Sequence, residues 1–177
     1  MFEEERYRFL IRQYKNKIYT YSLYMLKNKM DADDVTQEVM IRIWENINKF
    51  KMLAAKTWII KTTNNLCIDC LRKRSIAMKR ESEIDATFEE TFSTRSSEDN
   101  PFQTTHFKMM ASKAEEAIQC LPENLRSVFV LYEIEELKYR EISKALEIPI
   151  NSVKVYLLRA RKKLQEELKE YEPKEVV

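Results

Sequence analysis

Glycine is absent from this chain of 177 residues, against an average usage of roughly 7%. Phosphate-cradling glycine loops, of either the P-loop or the dinucleotide-binding type, are therefore excluded. Turns that need a positive φ must be built from other residues, so a hairpin-rich fold is disfavoured and helices with short connections are expected. Histidine occurs once, as His106, beside a stretch without a nucleophile pattern, and is read as a surface or packing residue. Of three cysteines, Cys67 and Cys70 form a CxxC inside a helical pattern. No second Cys/His pair exists to complete a tetrahedral zinc site, and small packing residues in a reducing compartment are the better reading. No catalytic residues, metal site or cofactor are expected, and the chain does not read as an enzyme. No apolar run is long enough to cross a membrane. The N-terminal residues show no basic start followed by an apolar core, so no export signal is read and the cytoplasm is the expected compartment.

What is present is charge, 34% of all residues, distributed unevenly. Residues 1–78 hold 15 basic and 9 acidic side chains, residues 79–100 hold 3 and 7, and residues 101–177 hold 13 of each. The middle stretch, ESEIDATFEETFSTRSSEDNPFQ, is acidic, rich in Ser and Thr and weakly periodic, as expected of a linker partly disordered when free. Apolar periodicity on either side is helical. A first helix is expected over about 2–28, with Phe9, Ile18, Tyr21 and Met25 inward. A second is expected to be capped by Asp31, with Asp33 and Asp34 in its first turn, and to bury Val35, Val39, Ile43 and Ile47. After a loop at 49–55, a third is expected from about Lys56 to Arg74 through Trp58, Ile59, Leu66 and Cys70. The fold class is all-α: two small helical domains, 1–78 and 105–177, joined by a flexible acidic linker over 79–104.

The second unit is the more telling. A helix from about Thr105 carries Met110, Ala114, Ala117, Ile118 and Leu121. Pro122 opens the next, which packs through Leu125, Val128, Phe129 and Tyr132. Then come two short amphipathic stretches, about 139–146 and 150–169, joined by a break at Leu146-Glu147-Ile148-Pro149. That pattern is a helix-turn-helix. At 100° per residue, Val153, Leu157, Ala160 and Leu164 share the inner face of the last helix. Asn151, Val155, Leu158, Arg159 and Lys162 share the outer face, with Lys154 and Arg161 on a flank. Pro149–Lys163 contains five cations and no acid. A solvated charged helix is the plain alternative, but the preceding turn and the apolar residues among the cations favour DNA, with Val and Leu against thymine methyls and Lys and Arg on base edges or phosphates.

The stretches DADDVTQEVMIRIWENINKF and TWIIKTTNNLCIDCLRKR resemble region 2 of bacterial sigma factors, and the helix-turn-helix resembles their region 4. With only a linker between the two, the chain resembles the extracytoplasmic-function (ECF) class of the sigma-70 family over roughly residues 5–75 and 107–168. The resemblance implies a factor that binds core RNA polymerase, at the β′ clamp helices and the β flap, and directs promoter-specific initiation. It implies that Asp34, Gln37 and Glu38 dock on the clamp helices. It implies that Lys56, Lys61, Asn64, Asn65 and Arg72 read the −10 element, with an extruded base held near Phe50, Met52 or Leu53. It implies that Lys154, Val155, Leu158 and Arg159 read the −35 element as duplex, with Asn151, Ser152 and Arg161 near phosphates. An anti-sigma factor is a further implied partner, and the acidic linker is implied to thread the RNA path of the polymerase. Two departures stand out: Glu147 and Asn151 occupy positions where the family often has Gly, and Lys138 replaces a capping Ser or Thr. The competing reading is a stand-alone helix-turn-helix transcriptional regulator, which accounts for the second unit but not for residues 31–74.

Overall fold

The computed structural model describes residues 2–49, 51–84 and 105–169, and all regular structure among them is helical. The elements are α1 (Phe2–Leu26), α2 (Lys29–Glu45), α3 (Met52–Ile84), α4 (Thr105–Cys120), α5 (Glu123–Phe129), a π-helical turn (Val130–Ile134), α6 (Tyr139–Leu146) and α7 (Ile150–Leu168). The acidic stretch 85–104, Phe50 and the His106 side chain lie outside the described residues, so the expectations placed on them have no structural counterpart here.

Helices α1, α2 and α3 pack on one another around Leu10, Ile18, Tyr21, Met25, Val35, Val39, Ile43, Ile47 and Ile59, all buried. The four-residue spacing in α2 therefore marks its core face as expected. Phe9 does not join the core: it is exposed, because the buried stripe of α1 runs through Leu10 and Tyr14 instead. In α3 the core cysteine is Cys67, fully buried, whereas Cys70 is only partly covered. Burial pushes the Cys67 thiol up to about 12, against the opposing effect of its 3.6 Å hydrogen bond to Ser22 Oγ.

The α1–α2 connection is two residues long. Lys27 takes φ 56° and ends α1, and Asn28, extended at φ −142° and ψ 123°, caps α2 by accepting the Asp31 backbone N–H at 3.0 Å. The cap is therefore Asn28 rather than Asp31, which sits in the first turn, where its charge favours the helix N-terminus. Helix α3 begins at Met52, four residues before the expected start, and runs on to Ile84. Ala, Met, Lys, Arg and Glu, all strong helix formers, carry it beyond its apolar contacts.

In the second unit, α6 and α7 have the expected bounds to within a residue. Val128, Val130, Leu131, Leu137, Ile142, Val153, Leu157 and Ala160 form its core. The π turn after α5 lets the chain leave the helix towards α6: Glu135 N–H donates to Val130 O and Leu137 N–H to Leu131 O. At the start of α6, Glu141 accepts the Lys138 backbone N–H at 2.8 Å. A lysine ammonium has no acceptor to return to the helix, so only this half of the usual reciprocal cap forms.

The two units do not stand apart. Helix α6 lies against α3, and α1 touches α4, α5 and the π turn. Leu131 and Leu137 come up against Tyr14, Ile18, Tyr21, Ile59 and Ile60 around a small cavity of about 30 Å³. One buried cluster runs through both units. At its edge the Arg126 guanidinium, itself buried, donates to Met25 O at 2.6 Å, while Arg74 donates to Leu26 O at 2.7 Å and pairs with Asp31. Two cationic groups from different helices thus satisfy the last carbonyls of α1, where the helix dipole favours positive charge.

Candidate nucleic-acid interface

Helix α7 is amphipathic as its sequence requires. Val153, Leu157, Ala160 and Leu164 are buried, while Asn151, Lys154, Val155, Leu158, Arg159, Arg161 and Lys162 are exposed and Ser152 is half-buried. Leu158 is 69% exposed among these cations. An aliphatic side chain held out between Lys154 and Arg159 fits contact with a base edge or methyl group. Glu147 makes the turn before α7 with φ 56°, and Ser143 Oγ donates to Ile148 O at 2.7 Å, tying α6 to the turn. Arg161 is the candidate least free to reach a phosphate. It donates twice to Glu133 Oε1, at 2.9 and 2.5 Å, and lies over the Tyr132 ring at 5.5 Å; Tyr132 in turn stacks on Tyr139 at 5.0 Å. The Glu133 hydrogen bond holds the Arg161 proton more tightly than usual.

Helix α3 carries the second candidate set, which the structure divides. Lys61, Asn65 and Arg72 point within about 40° of one another round the helix axis. Asn65 is exposed, and Arg72 makes a 3.5 Å ion pair with Asp69. Asn64 is turned inward, where its Oδ1 accepts the Tyr21 hydroxyl at 2.7 Å. Burial raises the Tyr21 pKa, so this hydroxyl remains a donor. Lys56 and Lys61 are both engaged: Lys56 Nζ is 2.7 Å from Glu141 Oε1, and Lys61 Nζ is 2.5 Å from Glu147 Oε1. Met52 and Leu53 fall in the first turn of α3 rather than in a loop, and Leu53 is 99% exposed.

The third set lies on α2. Asp34 and Gln37 are exposed, and Glu38 is half-buried and paired with Arg42 at 2.7 Å. The structure adds two residues that sequence reasoning passed over. Ile41 and Trp44 are 53% and 48% exposed on the same side of α2, and Trp44 is held edge-on by Tyr7 at 5.2 Å. Their signal was present: both fall off the Val35-Val39-Ile43-Ile47 stripe, which leaves large apolar residues unburied on the helix that carries the acidic candidates.

Comparison with known proteins gives the family. Residues 10–76 match the Sigma-70 region 2 family and residues 112–164 match Sigma-70, region 4. The chain is 32% identical over 160 residues to the ECF RNA polymerase sigma factor SigW of Bacillus subtilis, covering 89% of this chain and 86% of that protein. This chain belongs to the ECF sigma factors. It is also 28% identical over 159 residues to the ECF RNA polymerase sigma factor SigE of Mycolicibacterium smegmatis, which covers 90% of this chain but 60% of the relative. In fold this sigma factor resembles the sigma factor RpoE of Bartonella quintana, solved in complex with the anti-sigma factor NepR, with a TM-score of 0.72 at 18% identity over 92% of this chain and 96% of that one. It also resembles CnrH, solved with the cytosolic domain of CnrY, with a TM-score of 0.65 at 16% identity over 94% and 89% of the two chains. Within this sigma factor, most of α1, all of α2 and most of α3 fall in region 2, and the second half of α4, α5, α6 and most of α7 in region 4. No described helix is long and apolar enough to cross a membrane.

Proposed function

We propose that this sigma factor joins core RNA polymerase through the exposed side of α2, reads the −10 element with α3 and reads the −35 element with α7. The observation that carries the reading is the outer face of α7. Asn151, Lys154, Val155, Leu158 and Arg159 stand in solvent on a helix whose opposite face is buried, directly after the turn at Glu147. That is how a recognition helix enters a major groove. On α2, the Asp34, Gln37 and Glu38 edge supplies acidic and amide groups for a basic partner, and Ile41 with Trp44 supplies the apolar centre that a stable contact needs. On α3, Lys61, Asn65 and Arg72 suit a single strand, with the cations on its backbone and the amide on a base edge. Strand opening then needs no nucleotide hydrolysis: selective binding of the unpaired strand offsets an unstacking cost of a few kcal/mol per base. We place the factor in the cytoplasm, with core polymerase, promoter DNA and an anti-sigma factor as partners. The domain bounds 1–78 and 105–177 belong to this proposal, with α3 continuing into the connecting segment.

In vitro transcription with purified core polymerase, followed by mapping of start sites, tests the reading. Specific transcripts that depend on the added chain are expected. A stand-alone regulator would instead bind duplex DNA without polymerase and start no transcript. Asp34→Lys is expected to weaken polymerase pull-down several-fold, since reversing one charge at such a contact sets like charges together; unchanged capture would remove α2 from the docking surface.

A further inference from the structure

The two lysines placed on the −10-reading helix are both paired, and both with acids of the −35 module. Lys56 pairs with Glu141 at the start of α6, and Lys61 pairs with Glu147 in the helix-turn-helix turn. Lys17 of α1 faces Glu135 at 3.7 Å, a third pair of the same polarity. Region 2 therefore presents cations and region 4 presents acids where the two units meet, although region 4 also carries the cationic outer side of α7. The apolar part of the contact, Leu131 and Leu137 against Tyr14, Ile18 and Ile59, holds these pairs in register.

This arrangement is incompatible with reading a whole promoter. Elements centred on −10 and −35 lie roughly 25 base pairs apart, or about 85 Å of duplex at 3.4 Å per base pair. Here Lys61 touches Glu147, three residues before the start of α7, a helix only about 28 Å long at 1.5 Å per residue. The stretch 85–104 can span roughly 70 Å when fully extended, so the connection allows the modules to separate.

We propose that the free chain is closed by its own −35 module, with the Glu147 carboxylate seated on Lys61 where a phosphate of the −10 strand would lie and the Glu141 carboxylate holding Lys56 beside it. The inference rests on the sigma-factor reading given above. The Glu147 carboxylate and the nucleic-acid backbone compete for the Lys61 ammonium, so the −10 surface becomes available only when the modules part. Each pair is partly exposed and individually weak, which makes the closure reversible.

The test uses the full chain and the variants Glu141→Gln/Glu147→Gln and Glu147→Gln. The side-chain amide that Glu141→Gln introduces can still accept the Lys138 N–H, so α6 keeps its cap, and Glu147 is exposed. Timed acetylation read by mass spectrometry reports Lys56 and Lys61 against exposed Lys154 as internal reference, and small-angle scattering reports compactness. In the native chain, Lys56 and Lys61 are expected to react more slowly than Lys154. The double variant is expected to raise their rates roughly two- to fivefold and to expand the molecule, while the single variant raises Lys61 alone. Should the double variant lose its helical circular dichroism, the single variant and Lys61 decide the matter. Native lysines that react as fast as Lys154, or rates unmoved by the substitutions, would overturn the closure. Transcription with core polymerase runs in parallel. Transcripts with unprotected lysines reject the closure alone, whereas a folded chain that never supports transcripts rejects the sigma reading beneath it.

Discussion

Lys27, Glu136 and Glu147 all hold φ of 56°, the left-handed region that glycine usually occupies. Each stands where a helix or helical turn ends and the chain reverses, a position where a Cβ costs about 1–2 kcal/mol. A sequence without glycine must accept this strain at every such turn. Glu136 is the cleanest place to measure it, being exposed between buried Glu135 and Leu137. Glu136→Gly is expected to stabilise the chain by about 0.5–1 kcal/mol, read as a raised thermal midpoint, the gain being smaller than the strain because glycine also loosens the unfolded chain. Its neighbour makes a different prediction. Glu135 is 8% exposed, and burial raises its pKa despite the opposing charge of Lys17. A carboxyl that holds its proton more tightly when folded favours the fold below its unfolded pKa, and that advantage is lost as pH rises through the folded value. Glu135→Gln should therefore match the native chain in stability in acid and exceed it at neutral pH. Denaturant titrations at several pH values would show the two curves separating as pH rises; parallel curves would mean that Glu135 ionises without penalty.

At the scale of elements, the buried stripes were readable because helical period and apolar identity coincide. Val35-Val39-Ile43-Ile47 and Val153-Leu157-Ala160-Leu164 needed nothing beyond local spacing. Helix ends were less readable. Asn28 captures the cap of α2 only because Lys27 first turns left-handed, and a lysine offers no sequence signal for that. The π turn at Val130–Ile134 likewise has no compositional mark; Leu131 within it and Leu137 just after it are both buried. Arg126 reads as a surface residue of a short helix, yet it lies buried with its Nη1 on a carbonyl 101 positions away in sequence, a pairing no local window contains. Among the candidate site residues, the exposure of the α7 outer face was legible from spacing, whereas the inward turn of Asn64 depends on Tyr21 of another helix. The α7 assignment yields the prediction proper to this scale. Arg159→Ala is expected to cost about 1–3 kcal/mol of −35 discrimination. Replacing Lys162 instead should weaken binding evenly across sequences and lower the salt slope by about one. Equal transcription from native and −35-altered promoters by the unmodified chain would remove α7 from recognition.

For the whole molecule, the governing fact is that two units separable in sequence share one buried cluster. Their joint surface mixes contacts that respond oppositely to salt. The Lys17, Lys56 and Lys61 pairs are partly exposed and screened within a Debye length of about 3 Å at 1 M salt. The Leu131 and Leu137 contacts are apolar and persist. The buried Arg126 guanidinium, its pKa lowered chiefly by burial, is tied to the Met25 carbonyl and is little screened. If the ion pairs set the balance, adding salt uncouples the units; if the apolar and Arg126 contacts set it, salt leaves them joined. The geometry favours the first outcome. Leu131 and Leu137 bring roughly 1.5–3 kcal/mol each when fully buried, and separation forfeits only part of that, since both also pack within their own unit. Calorimetry is therefore expected to give one unfolding transition for the native chain at about 0.1 M salt, where the Debye length is about 10 Å. It is expected to give two transitions for Glu141→Gln/Glu147→Gln, or for the native chain at about 1 M salt. A single transition under all three conditions would mean that the apolar seam alone unites the modules, and core polymerase would then have to supply enough binding energy to break a hydrophobic contact rather than a set of screened charges.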